Sequence, residues 1–231
     1  MRAVGYSRLD VIVQPDDGVQ RVVDIIGRAR KNILVKMFTF TSDALMQALA
    51  AAVGRGVPVR VLLNPARSSG SRANDESFEK LKAGGVDVAW TTAFPVTHEK
   101  SMVIDGHLCL ISTFNYCEKY FTATRDYGLL VDSEPLAAEI AACFEADWQG
   151  RKFTPHGTEL VWSNTDSRRR ICAFIDSAER SLIVQHPKFS DLAIVDRLLH
   201  ARDRGVKVKV LCGGRHGISE SDILDTFSAL R

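Results

Sequence analysis

Arg55-Gly56-Val57-Pro58-Val59-Arg60-Val61-Leu62 returns further along the chain as Arg204-Gly205-Val206-Lys207-Val208-Lys209-Val210-Leu211. The two stretches stand 149 residues apart, and their surroundings keep the same offset. Upstream, Ala29-Arg30-Lys31-Asn32-Ile33-Leu34-Val35 matches Ala178-Glu179-Arg180-Ser181-Leu182-Ile183-Val184. Between them, Leu45 and Leu49 match Ile194 and Leu198, and Asp17 and Ile25 match Asp166 and Phe174. An ungapped register over about forty residues marks a duplicated unit.

Each copy reads as helix, strand, helix, strand. In the first, Val19, Val22, Val23 and Ile26 recur at helical spacing within residues 17–30. Ile33–Phe40 is a strand rich in apolar and β-branched residues. Thr41-Ser42-Asp43 offers oxygen acceptors for the first N–H groups of the next helix. Gly56 ends that helix, and Val57–Leu63 is a buried strand. Apolar runs of this kind predict an α/β fold with a mixed, largely parallel sheet covered by helices on both faces. The first copy continues through a helix at 75–84 and strands at 86–90, 101–104, 108–112 and 127–131. It closes with a helix at 135–148. Asp105-Gly106 is the turn between two of these strands. Residues 150–157 read as a linker, so the expected division is 1–152 for a first repeat and 153–231 for a second, incomplete one, ending in a helical stretch at 221–230.

Composition excludes several classes. The chain has 30 basic and 28 acidic residues in 231, a net charge of +2, which gives no strong pull towards nucleic acid or an acidic membrane. Its five cysteines show no CxxC spacing, and most lie among apolar residues, as buried free thiols do in a reducing compartment. There is no apolar signal core at the N-terminus and no run near the roughly 20 residues that span a bilayer. The expectation is a cytoplasmic protein, with peripheral membrane contact open to it.

Chemistry concentrates in His98-Glu99-Lys100-Ser101-Met102-Val103-Ile104-Asp105, followed by Ser112-Thr113-Phe114-Asn115. In an extended segment His98 and Lys100 point to one face and Glu99 to the other, where solvent is expected. Lysine is a compact charge for a phosphate oxygen. The Asn115 amide and the Ser112 or Thr113 hydroxyl can donate to the same anion. A histidine titrates near neutrality, so His98 can attack phosphorus or move a proton. Asp105 can fix the histidine tautomer or balance Lys100. Phosphoryl transfer asks mostly for positioning and charge stabilisation, which this set provides.

This pattern resembles the HxKxxxxD motif of the phospholipase D superfamily, whose motif is followed by a GSxN-like segment. The chain departs from that segment in having Ser112 for Gly and Thr113 for Ser. The look is that of bacterial two-repeat, cardiolipin-synthase-like members. The resemblance implies a phosphodiesterase or phosphatidyl transferase acting on phospholipids through a phosphohistidine, without metal or cofactor. It implies His98, Lys100 and Asp105 as catalytic, Lys100, Ser112, Thr113 and Asn115 on phosphate, and Asp126 as an acid supporting a histidine. Family members pair two such motifs across a pseudo-dyad. The counterpart of His98 would fall near position 247, so a C-terminal continuation is the expected source of the second motif and a second subunit the lesser one. A nuclease of the same chemistry and an inactive phosphate-binding module are the competing readings.

Elsewhere the bland readings stand first. His186-Pro187-Lys188 has Ala193 where the motif needs Asp and is a strand end. His107 and His200 read as surface residues. Lys36 is a strand lysine that snorkels from an edge or reaches a cleft. Arg168-Arg169-Arg170 is a solvated helix start, and the glycine-rich 213–217 and serine-rich 68–72 stretches are loops.

Overall fold

The computed structural model describes residues 8–66, 69–157, 159–187 and 189–212. The chain divides into two compact units, Met1–Gly157 and Thr158–Arg231. The first holds seven strands: β1 (Arg8–Gln14), β2 (Ile33–Met37), β3 (Val59–Leu63), β4 (Asp87–Trp90), β5 (Lys100–Ile104), β6 (Leu108–Ser112) and β7 (Asp126–Asp132). Its helices are α1 (Gln20–Gly27), α2 (Asp43–Gly54), α3 (Asp75–Ala83), α4 (Glu118–Thr122) and α5 (Glu134–Trp148).

The strands form one sheet in the order β1-β7-β6-β5-β2-β3-β4. The fold is α/β and the sheet mixed, as expected, but the balance inside this sheet is different. Only β2–β3 and β3–β4 pair in parallel, while β2–β5, β5–β6, β6–β7 and β1–β7 are antiparallel. The physical reason is connection length: β5, β6 and β7 are joined by turns and short segments, whereas parallel neighbours need a crossover helix.

The duplicated stretch supplies the parallel part. Ser42 caps α2 by accepting from the Leu45 N–H, and the helix closes where Gly56 takes φ +83°, open to glycine at no steric cost. The Val57 N–H then bonds the Ala52 carbonyl. Ile33, Val35 and Met37 of β2 and Val59, Val61 and Leu63 of β3 point into a core with α1 and α2. Each such side chain contributes about 1.5–3 kcal/mol by leaving water. On the other sheet face, α5 packs on β2, β5 and β6. Ser133 caps it by accepting from the Leu136 N–H. With both faces covered, every residue of β5 is buried.

The second unit repeats the plan: α6 (Ser167–Asp176), β8 (Ser181–Gln185), α7 (Leu192–Asp203) and β9 (Lys207–Leu211), with β8 and β9 parallel. Gly205 takes φ +87°, and the Val206 N–H bonds the Ala201 carbonyl, as at the matching Gly56 and Val57. His186 follows β8 directly, its N–H bonded to the Leu211 carbonyl, and Arg168 and Arg169 of the helix start pair with Asp191 and Asp166. The glycine-rich 213–217 stretch and the helix expected at 221–230 lie outside the described residues. Among the described residues, no helix is long and apolar enough to cross a membrane.

Candidate active site

The middle of the sheet carries the site. Met37 of β2 pairs with Lys100 of β5, and Ser101 of β5 with Ile111 of β6. Continuing that register puts Ser112 beside Lys100. The C-terminal end of β2, the start of β5, the end of β6 and the start of β7 therefore share one sheet end, and His98, Lys100, Ser112, Thr113, Asn115 and Asp126 gather there.

His98 stands just before β5 and is exposed; Lys100, the first residue of the strand, is only 6% exposed. The Lys100 Nζ lies 3.2 Å from His98 Nδ1 and 3.4 Å from Nε2, and it donates to the His98 carbonyl at 2.8 Å. Phe38 packs against both, its ring centre 4.4 Å from that of His98 and 5.3 Å from the ammonium. Burial lowers the Lys100 ammonium to about 8, with Asp126 and Cys117 acting in the opposite sense. Partial desolvation against its neighbours, then the Lys100 charge, holds the His98 imidazole below its ordinary value. At neutral pH the pair is a neutral imidazole beside a poorly solvated ammonium, which is what attack on an anionic phosphorus centre requires.

Asn115 is 5% exposed. Its Oδ1 accepts from the Thr39 N–H at 3.2 Å, which leaves its Nδ2 donors without a partner among the described residues. The segment is fixed by backbone: Tyr116 N–H bonds the Thr39 carbonyl, and the Tyr116 carbonyl accepts from Thr41 and Ser42. Phe114, fully buried, pins it from beneath; a Cβ on Gly128 would stand 3.1 Å from the Phe114 ring and from Leu110, so the two side chains would have to give way to any larger residue there.

The hydroxyls are engaged locally. Ser112 Oγ donates to the Phe114 carbonyl at 3.0 Å. Thr113 Oγ1 donates to Asp126 at 2.7 Å and accepts from the Tyr127 N–H at 2.9 Å. Asp126 also accepts from Thr124 Oγ1 at 2.6 Å. No hydrogen bond links Asp126 to His98 among the described residues; its charge acts on Lys100.

Asp105 is not with the others. It sits in the turn at the far end of β5, at φ +56°, about 17 Å along the strand from Lys100 at roughly 3.3 Å per residue. Its carboxylate accepts from the backbone N–H groups of Arg30, Lys31 and Asn32 at 2.6–3.1 Å. Burial raises its pKa, but these three donors outweigh that and hold the carboxyl below the usual range. The expectation that it orients His98 or balances Lys100 does not fit this placement. It clamps the α1–β2 loop to the β5–β6 turn.

Sequence reasoning missed the support behind the site. Asn64 Oδ1 accepts from the Thr97 N–H at 2.8 Å. Asn74 Nδ2 donates to the carbonyls of Phe38 and Asn64, and its Oδ1 accepts from Phe40 N–H. Lys36 neither snorkels nor reaches the cleft: it is 1% exposed and faces α5. Its Nζ meets Asp147 at 2.6 Å, Glu99 at 2.9 Å and Cys143 Sγ at 3.2 Å. Glu99 does turn away from His98, yet into this cluster and not into solvent. Burial lowers the Lys36 pKa, but its three partners together raise it above the ordinary value. Glu99, Cys143 and Asp147 are a metal-type donor set, but the ammonium bonds all three. One signal was legible: Leu136, Ile140, Cys143 and Asp147 share a helix face, with an acid where an apolar residue belongs.

Fold and site together define a mixed α/β domain that presents a histidine, a lysine and an amide at one sheet end. The family model described as "Cardiolipin synthase, PLD-like domain" matches residues 22–148 and 171–229, and the chain belongs to that family. It is 25% identical over 130 residues to a mitochondrial cardiolipin hydrolase of Chlamydomonas reinhardtii, covering 56% of this chain and 57% of that protein. It is 26% identical to the major cardiolipin synthase ClsA of Bacillus subtilis, over 89% of this chain and 51% of that protein. The chain thus spans about half the length of these relatives. Among solved structures, the phospholipase D family member Nuc from Salmonella typhimurium superposes with a TM-score of 0.57 at 21% identity, over 64% of this chain and 99% of Nuc, a likeness of fold.

Proposed function

We propose that this chain is a phospholipid phosphodiesterase or phosphatidyl transferase that works through a phosphohistidine on His98. The observation that carries the reading is the pair of a neutral-leaning His98 imidazole and a buried Lys100 ammonium, 3.2–3.4 Å apart. Lys100 and the unengaged Asn115 amide bind the phosphate oxygens. A neutral His98 ring nitrogen attacks phosphorus; a P–N bond forms and the P–O bond to the leaving alcohol breaks. A second motif supplies the proton for that oxygen, from a continuation of the second repeat or from a second subunit. Water or another alcohol then breaks the P–N bond, its proton returning to the same acid. Asp126 tempers the charge of Lys100, and Asp105 holds the far end of the strand. The names of the curated relatives support the lipid side of this reading.

The test uses the assembled, active form of the protein with chelator present. Release of head group from vesicles of cardiolipin or phosphatidylglycerol is compared with cleavage of single- and double-stranded DNA. Lipid turnover that disappears in His98→Ala is expected. DNA cleavage with steep salt dependence and no lipid turnover would replace this reading with the nuclease one. Phosphate binding without turnover of either substrate would leave a binding module.

A further inference from the structure

The β2–β5 ladder begins at Lys100. Thr97, His98 and Glu99 lie before it, so sheet hydrogen bonds do not fix the residue that carries the imidazole. Two side-chain anchors do. Asn64 takes the Thr97 N–H on one side of His98, and on the other side Glu99 is gripped through the sheet. Glu99 Oε2 accepts from Lys36 Nζ at 2.9 Å, and its Oε1 accepts from Ser101 Oγ at 2.6 Å. An ammonium has three N–H donors, and Lys36 points them at three acceptors: Glu99, Asp147 and Cys143. Lys36 is 1% exposed and the Asp147 side chain 8%. The Glu99 side chain keeps 24% exposure, but its buried partners Lys36 and Asp147 cannot relax into water, so Lys36 ties Glu99 to α5 and β2 together.

From this we infer that Glu99, held by Lys36 from the far face of the sheet, is a positioning residue for His98 and Lys100. A buried ionic cluster is a weak source of stability, because desolvation consumes most of the attraction. What the cluster provides is a fixed conformation for a three-residue segment that has no ladder. The Glu99 charge is taken up by Lys36 and Ser101 on the face opposite His98 and Lys100, and the depression of His98 comes from burial and from Lys100. The effect of Glu99 is geometric, and a misplacement of about 1 Å at a reacting group can cost about 100-fold in rate.

The inference rests on the reading of His98 as the reacting group, and its test separates the two. Glu99→Ala, Glu99→Asp and Glu99→Gln are compared with the wild type by steady-state kinetics and by NMR of the His98 ring. Glu99→Gln keeps an acceptor for Lys36 and a partner for Ser101, so its kcat should stay within about threefold of wild type. Glu99→Ala should lower kcat about 10- to 100-fold with KM nearly constant. Its His98 resonances should broaden or double, and the ring pKa should rise towards 6.5 as the imidazole leaves Lys100. Glu99→Asp keeps the charge beside Lys36, and with it the fold, but is one methylene short; it should show the same changes in smaller degree. Wild-type kcat and an unaltered His98 spectrum in folded Glu99→Ala or Glu99→Asp would overturn the inference, as would a failure of Gln to rescue. If the wild type turns over no diester, the proposed function falls, and the His98 spectra still decide the positioning.

Discussion

The two ends of β5 carry parts of one short sequence motif and do opposite things. At the start, His98 and Lys100 are packed face to face, with both pKa values held below their ordinary positions by burial. At the end, Asp105 is bonded to three backbone N–H groups and held in its ionised form. The first end carries electrostatic cost and leaves donor capacity open; the second is satisfied and closed. On the proposed assignment, reactivity and rigidity are separated along one fully buried strand, and the Lys100-to-Asp105 part of the spacing is the length of that strand.

The sharpest way to break the comparison is His98→Ala. If the reactive end is assigned correctly, kcat falls on the order of 10⁴-fold or more with the melting temperature unchanged. A residual rate near wild type would end the assignment. Lys100→Met comes next. Loss of a charge that stabilises the phosphoryl transition state should cost about 10²- to 10³-fold in kcat/KM.

The pH profile sharpens the same point. If the base form of His98 attacks phosphorus, the acid limb of kcat/KM should fall below 6.5, because burial and Lys100 hold the imidazole below its ordinary value. If the ammonium form of Lys100 holds the phosphate, an alkaline limb should set in near 8. Lys100→Met should lose the Lys100 part of the alkaline limb, and its acid limb should move up towards 6.5 as the neighbouring charge is removed. A profile that rises through pH 8 would contradict the assigned protonation states.

At the other end, Asp105→Asn should lower stability by about 1–2 kcal/mol, measured by denaturant unfolding. Asn tolerates the positive φ, so the change reports on the carboxylate. Because the folded pKa of Asp105 is depressed, its contribution is present above the unfolded carboxylate value and is lost as pH falls through the folded one. Wild type should lose more stability on acidification than Asp105→Asn, and kcat should fall no more than about threefold in folded variant protein.

Much of the fold was legible because its determinants are local. Apolar runs, the Ser42 and Gly56 helix boundaries and the Asp105-Gly106 turn all lie within a few residues of what they control. β1 escaped because its partner, β7, is more than a hundred residues away and Leu9, Val11 and Val13 alternate on a strand whose pairing no local signal announces. α4 has five residues, too few to show a period. The site was legible as a set of residue types but not as a geometry. That Asp105 stands a strand length from Lys100 could have been read from the spacing alone. That Lys36, Glu99 and Asp147 meet could not, because it depends on α5 folding back across β2 and β5.

The most direct measurement is rapid acid-free quenching of the active enzyme during turnover, with mass spectrometry of the peptide that holds residue 98, in wild type and in Asp105→Asn. A phosphatidyl adduct on His98, the P–N-linked remainder of the diester, is expected in both proteins at similar occupancy. No adduct in the wild type, or an adduct lost in folded Asp105→Asn, would contradict the division of β5 into a reactive end and a structural one.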